Sequence, residues 1–177
     1  ASDVYKRQAL ELSDIPESLL VVGGGVIGME LGQVYASLGS EVSVVEFLPE
    51  LISGADRDII KPLERKLKNQ FNSIMLSSKV SSISENKDGS VNVKINHNGE
   101  TKVEKYSKVL ISVGRHPNTE LLNIKATDVQ LDKRGYIVVD EYQKTSAENI
   151  LAIGDITGNP MLAHKATYAV SYTHLTL

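Results

Sequence analysis

Residues 18–47 read SLLVVGGGVIGMELGQVYASLGSEVSVVEF. Residues 19–22 form a continuous apolar run, the pattern of a strand buried on both faces. The run leads into Gly23, Gly24, Gly25, Val26, Ile27 and Gly28, so Gly23, Gly25 and Gly28 satisfy the pattern Gly-x-Gly-x-x-Gly. A helix is expected next, because Ile27, Leu31, Val34, Tyr35 and Leu38 fall on one face at helical spacing. Gly39 suits its C-terminal end. Residues 42–45 read as a second strand, with Glu46 at its tip.

Each part has a physical role. Gly23 permits a tight strand-to-helix turn, Gly25 lets the backbone approach a pyrophosphate, and Gly28 allows the helix to pack closely on the sheet. The helix N-terminus offers unpaired N–H groups and a positive dipole end to phosphates. Glu46 lies 18 residues beyond Gly28. There it can accept hydrogen bonds from a ribose diol and would repel a 2′-phosphate, which favours NAD over NADP. Glycines also gather in plain turns. The ordered strand, helix, second strand and acidic residue separate this stretch from such a turn. Glu30 reads two ways, as an exposed glutamate favoured near the helix start or as a polar contact near a nicotinamide.

Composition narrows the remaining classes. The chain has 177 residues, 41% of them hydrophobic, which is enough for a buried core. A net charge of −3 with no basic stripe argues against a nucleic-acid partner. No apolar run approaches membrane-spanning length, so no membrane role is expected. The absence of cysteine excludes a disulfide framework or a thiolate metal site on this chain. No metal ligands are expected.

Downstream, ADRDIIKPLERKLKNQF (residues 55–71) reads as a helix burying Ile59, Leu63, Leu67 and Phe71, with Pro62 near its first turn. Its charges read as a solvated face. Residues 79–114 change character. Asp88-Gly89 and Asn98-Gly99 are hairpin turns, and Val91, Val93 and Ile95 face one way. This predicts an antiparallel β-meander inserted into a Rossmann-like α/β unit. A continuous apolar strand at 109–111 then leads to Gly114. Further βα repeats are missing, which counts against a simple two-domain dehydrogenase.

A second unit begins in the linker GRHPNTELL. Residues 137–139 and 150–153 are expected to be strands. A helix is expected from Pro160. Asp155 therefore ends a strand near a helix N-terminus, either a nucleotide-facing edge or a capped turn. His164 alone reads as an ordinary surface or core histidine.

The motifs VVGGGVIGMELG, SVVEF, VGRHPN, ENILAIGDITG and PMLAHKA share one order and spacing. In this the chain resembles the flavin- and NAD-dependent disulfide oxidoreductases over about residues 10–167, and most nearly the dihydrolipoyl dehydrogenases. The resemblance implies two cofactors, NAD and FAD. Residues Gly23, Gly24, Gly25, Val26, Ile27, Gly28, Met29 and Glu30 would hold the NAD pyrophosphate, with Glu30 reaching towards the nicotinamide. Glu46 would bind the adenosine ribose, and Val80 and Gly114 would line the adenine side. Asp155 would contact FAD, with Met161, Leu162, Ala163 and His164 along the flavin's pyrimidine edge.

The family moves electrons from dihydrolipoamide through a dithiol and FAD to NAD⁺. The resemblance implies partners, the lipoyl domains of 2-oxo-acid dehydrogenase complexes, and a homodimeric parent. A cytoplasmic bacterial parent is expected, or a mitochondrial-matrix one if eukaryotic. Relatives that reduce mercuric ion, glutathione or coenzyme A disulfide, and a flavin-free NAD-binding module, are the alternatives. The end segments ASDVYKRQ and AVSYTHLTL resemble adapter read-through. The expected division is therefore a non-native tail at 1–8, an NAD-binding domain at 9–117, a partial flavin-contacting segment at 118–168 and a second tail at 169–177. On this reading the chain is an internal piece of a longer protein, binding NAD but having no catalytic residue of its own and no dehydrogenase activity.

Overall fold

In the computed structural model, residues 8–11 and 14–176 are described, with side chains to residue 171. The chain divides into two compact units, Ala1–Gly114 and Arg115–Leu177.

The first unit is a mixed α/β structure. Strands β1 (Ser18–Val22), β2 (Glu41–Val45), β3 (Ser73–Met75) and β7 (Lys108–Ile111) form an all-parallel sheet in the order β3-β2-β1-β7. Helix α1 (Val26–Ser37) connects β1 to β2, and α2 (Arg57–Gln70) connects β2 to β3. Strands β4 (Lys79–Glu85), β5 (Val91–His97) and β6 (Glu100–Tyr106) form a separate antiparallel sheet in sequence order. The two glycines of its hairpin turns, Gly89 and Gly99, have φ of 78° and 81°, the left-handed conformation that only glycine adopts at little cost.

The unbroken apolar run of β1 follows from burial on two sides. Leu19 and Val21 point to the helical layer, where they meet Met29, Tyr35, Val42, Val44, Leu67 and Phe71. Leu20 points the other way, into a second core with Val45, Val93, Ile95 and Tyr106. The meander thus covers the face of the parallel sheet opposite the helices. Tyr106 is anchored there by a hydrogen bond to the Glu104 carboxylate. Burial, reinforced by Glu104 and partly offset by a bond with Ser43, pushes its hydroxyl well above the ordinary tyrosine range.

At the floor of the parallel sheet, Ser18 and Ser107 bond reciprocally. The Ser18 N–H donates to Ser107 Oγ at 3.2 Å, and the Ser107 N–H donates to Ser18 Oγ at 3.0 Å.

Both helices differ in detail from the sequence expectation. In α1 the buried residues are Gly28, Met29, Gly32 and Tyr35, while Val34 and Leu38 are exposed. Gly32 sits so close that a Cβ there would lie 3.0 Å from the Phe71 ring. Its buried face is made by two glycines with Met29 and Tyr35, in place of the expected Val34 and Leu38. In α2 the buried residue is Ile60, 4% exposed, and not Ile59, which is 71% exposed. An α-helix turns about 100° per residue. Steps of four from Ile59 therefore drift around the helix, whereas the step of seven from Ile60 to Leu67 returns to the same side. Pro62 lies in the second turn, deeper than expected, with its own side chain and that of Asp58 exposed. Proline has no N–H to offer the Asp58 carbonyl, so one intrahelical bond is lost there. Asp56 caps the helix by accepting from the Asp58 N–H at 2.9 Å.

The second unit corrects three expectations. Residues 137–139 and 150–153 are not strands; only the isolated bridges Leu131↔Ile137 and Lys144↔Leu151 form. Ile150, Leu151 and Ile153 are exposed, and a small core gathers Val129, Ile137 and Ala152. An apolar run becomes a strand only when a neighbour completes its ladder, and here each segment finds one bridge partner. Asp155 lies in a 3-10 turn, Gly154–Thr157, and does not end a strand. Helix α3 begins at Ala163 rather than Pro160 and continues to Thr176, so the alternating residues after Tyr168 are helical.

Candidate functional site

Parallel strands present their carboxyl ends along one edge, and that edge carries a cavity of about 700 Å³. Its walls are the residues that follow those ends. Residues 23–26 follow β1, and Phe47, Leu48, Glu50, Ile52 and Ser53 follow β2. Residues 78–80 follow β3, and residues 112–114 follow β7. The chain leaves β1 for β2 on one side and reaches β7 on the other, so the cavity sits where the strand order reverses. Open α/β sheets bind their ligands at such points.

The glycine loop has a separate constraint at each position. Gly23 has φ +107°, and a Cβ there would lie 2.6 Å from the Ser112 carbonyl oxygen. A Cβ at Gly28 would lie 2.2 Å from the Gly23 carbonyl oxygen and 2.6 Å from Ser112 Oγ. At Gly25 a Cβ would meet nothing within 4 Å. Gly25 is thus free of protein contacts on the side where a ligand backbone can approach. Helix α1 starts at Val26, and its first bond runs from the Met29 N–H to the Gly25 carbonyl at 3.0 Å. The amides of Val26, Ile27 and Gly28 precede that bond and have no intrahelical acceptor, which leaves the positive end of the helix at the cavity.

Glu46 leaves β2 and turns its carboxylate back over the loop. Oε2 accepts from the Gly24 N–H at 2.5 Å, and Oε1 accepts from the Leu48 N–H at 2.7 Å. A carboxylate has about four acceptor positions, so capacity remains for two hydroxyls of a diol. From the other side, Ser112 Oγ lies 3.1 Å from the carbonyls of both Val22 and Gly23 and donates to them.

Of the residues expected at a dinucleotide site, Gly23, Gly24, Gly25, Val26, Glu46, Val80 and Gly114 line this cavity. Ile27, Gly28, Met29 and Glu30 do not. Gly28 and Met29 are buried beneath the loop, and Glu30 is exposed on the helix. Leu48, Ile52, Ser78, Lys79 and Ser112 were not foreseen. Their signal was positional, since each follows the carboxyl end of a parallel strand.

In the second unit Asp155 is engaged by Arg115, which donates a hydrogen bond to its carboxylate within an ion pair. Lys165 Nζ donates to the Gly158 carbonyl at 2.8 Å and to Thr157 Oγ1 at 3.1 Å, tying α3 to the 3-10 turn. Met161 is half-buried, while Leu162, Ala163 and His164 are exposed. Among the described residues no group of His, Cys, Asp or Glu is arranged to hold a metal ion, and no helix is long and apolar enough to cross a membrane.

Comparison with known proteins agrees with the α/β fold. The chain is 42% identical over 160 residues to a dihydrolipoyl dehydrogenase of Vibrio parahaemolyticus, covering 90% of this chain and 34% of that protein. It is 42% identical over 168 residues to a mitochondrial dihydrolipoyl dehydrogenase of Dictyostelium discoideum, covering 93% of this chain and 34% of that protein. The chain thus spans about a third of the length of these curated relatives. Among solved structures, the Cu(II) complex of an HOCl-induced flavoprotein disulfide reductase from Escherichia coli superposes with a TM-score of 0.85 at 30% identity, covering 94% of this chain and 37% of that one. Residues 2–169 match the family described as pyridine nucleotide-disulphide oxidoreductase, and the chain belongs to that family.

Proposed function

We propose that this chain carries the NAD-binding domain, residues 9–117, and a flavin-contacting segment, residues 118–168, of a dihydrolipoyl dehydrogenase. The observation that carries the reading is the cavity at the strand ends, with the open side of Gly25 and the Glu46 carboxylate on its wall. The residues suit NAD. The α1 amides and dipole would hold the pyrophosphate, Glu46 would accept from the adenosine diol, and Val80 and Gly114 would lie beside the adenine. Bound there, NAD⁺ supplies a hydride acceptor. Glu46 would place like charge against a 2′-phosphate, so it works as a selector as well as a contact.

Asp155 and residues 161–164 would meet FAD in the parent protein, the Arg115 pair holding the Asp155 carboxylate in place. The chain has no cysteine, so it offers no dithiol of its own, and purified chain should not oxidise dihydrolipoamide. The parent would act with lipoyl domains of 2-oxo-acid dehydrogenase complexes as a homodimer, in a bacterial cytoplasm or a mitochondrial matrix. Its relatives here come from both bacteria and a mitochondrion.

Calorimetric titration of the chain with NAD⁺ and NADP⁺ tests the site. A preference for NAD⁺ of tenfold or more, about 1.4 kcal/mol, is expected. Equal affinity for the two would remove the role of Glu46 and favour a relative that works with NADPH.

A further inference from the structure

The loop after β2 holds one residue of the glycine loop, Gly24, through both of its flanking peptide groups. The Gly24 N–H donates to Glu46 Oε2 at 2.5 Å. The Gly24 carbonyl accepts from the Ile52 N–H at 2.9 Å. Leu51, in the same segment, is buried and so close that a Cβ on Gly24 would lie 2.6 Å from its Cδ2. Ile52 holds its position at a conformational cost. Its φ is +49°, a left-handed conformation that is an outlier for a β-branched residue. Such conformations persist where the surrounding structure over-determines them, and they cluster at binding sites.

The Gly24–Gly25 peptide bond is trans, so its N–H points opposite to its C=O. Pinning the Gly24 carbonyl on Ile52 therefore directs the Gly25 N–H away from Ile52. Gly25 is also the one residue of the loop pattern whose Cβ position is open.

We propose that residues 46–52 are a positioning element for the glycine loop, in which Glu46 and Ile52 clamp Gly24 and thereby aim the Gly25 N–H at the ligand's phosphates before any nucleotide arrives. The proposal rests on the dinucleotide reading of the cavity and extends it. Glu46 then acts on phosphate binding through the loop, in addition to any contact with a diol.

The test separates these two roles with probes that carry one group each. Inorganic pyrophosphate has phosphates and no diol, and adenosine has a diol and no phosphates. Glu46→Asp keeps the charge but is one methylene short of Gly24. Glu46→Gln keeps the length and an acceptor oxygen. Nuclear magnetic resonance titrations of the full chain should show pyrophosphate affinity falling at least fivefold in E46D and holding in E46Q. The Gly24 amide should exchange at least tenfold faster in E46D. Unchanged pyrophosphate affinity in E46D, with only adenosine and NAD⁺ weakened, would overturn the proposal and leave Glu46 a simple diol contact. If the wild-type chain binds neither NAD⁺ nor pyrophosphate, the dinucleotide reading itself fails. The clamp is then judged on exchange alone, and an unaltered Gly24 rate in E46D would overturn it.

Discussion

Two alanine substitutions in the same loop should have opposite consequences. In Gly28→Ala the added methyl would lie 2.2 Å from the Gly23 carbonyl oxygen, 2.6 Å from Ser112 Oγ and 3.2 Å from Val21 Cγ1. The nearest of these is backbone and belongs to the glycine loop, so it cannot swing aside as a side-chain tip can. Overpacking of a well-filled site costs about 1–3 kcal/mol, and the backbone contact puts this case at the upper end. In Gly25→Ala the methyl meets nothing within 4 Å. Gly25 has φ −74° and ψ 177°, which alanine adopts without strain. Lower unfolded-state entropy stabilises the alanine form by about 0.4–1 kcal/mol. Loss of glycine at an N-cap position offsets a similar amount. The net effect on stability is therefore near zero, while the methyl occupies the approach side of the loop. Urea denaturation should place Gly28→Ala about 2–3 kcal/mol below wild type, with Gly25→Ala close to wild type. Calorimetry should show NAD⁺ affinity at least tenfold weaker in Gly25→Ala. Equal destabilisation of both variants, or full NAD⁺ affinity in Gly25→Ala, would refute the assignment of packing to Gly28 and ligand approach to Gly25.

Ile60→Ala should cost about 2–5 kcal/mol, whereas Ile59→Ala should stay within about 0.5 kcal/mol of wild type; chemical denaturation of the pair checks which face of α2 is buried. The raised Tyr106 hydroxyl stabilises the fold fully below the ordinary tyrosine value of 10.0, and this contribution is lost as pH rises from there towards the folded value. Stability should therefore decline above about pH 10, and Tyr106→Phe should flatten that limb of a pH–stability curve. Amide exchange should be slow across β1 and fast across residues 150–153, which form a single bridge rather than a ladder; slow exchange throughout 150–164 would contradict the picture of the second unit.

The elements that could be read in advance were those whose signal is local. The glycine pattern, the double-sided burial of β1 and the alternation of Val91, Val93 and Ile95 each follow from neighbours in sequence. Both hairpin turns carry their own chemistry at Asp88-Gly89 and Asn98-Gly99. Harder to read were choices made by tertiary packing. Ile59 and Ile60 are adjacent and equally apolar, and only the position of Leu67 and the sheet decides between them. Strand β3 is three residues long and carries no pattern of its own. In the second unit the run at 150–153 looked like a strand because composition cannot report whether a partner strand is present. The cavity walls after β2 and β3 were missed for a related reason. Ile52, Ser78 and Lys79 are unremarkable in sequence and acquire meaning from the sheet edge they share.

The paired serines at the floor of the sheet set a tolerance for its top. Side chains on a strand alternate faces, so a slip of β7 by one residue would move it about 3.3 Å and turn every side chain over. Ser112 would then present its hydroxyl to the opposite face, and the Val22 and Gly23 carbonyls would lose the side-chain bond it donates. The reciprocal Ser18–Ser107 bonds make that slip cost both hydrogen bonds at once. Two small hydroxyls, a full strand length from the nucleotide edge, thus act as the datum from which the far end of the cavity is measured.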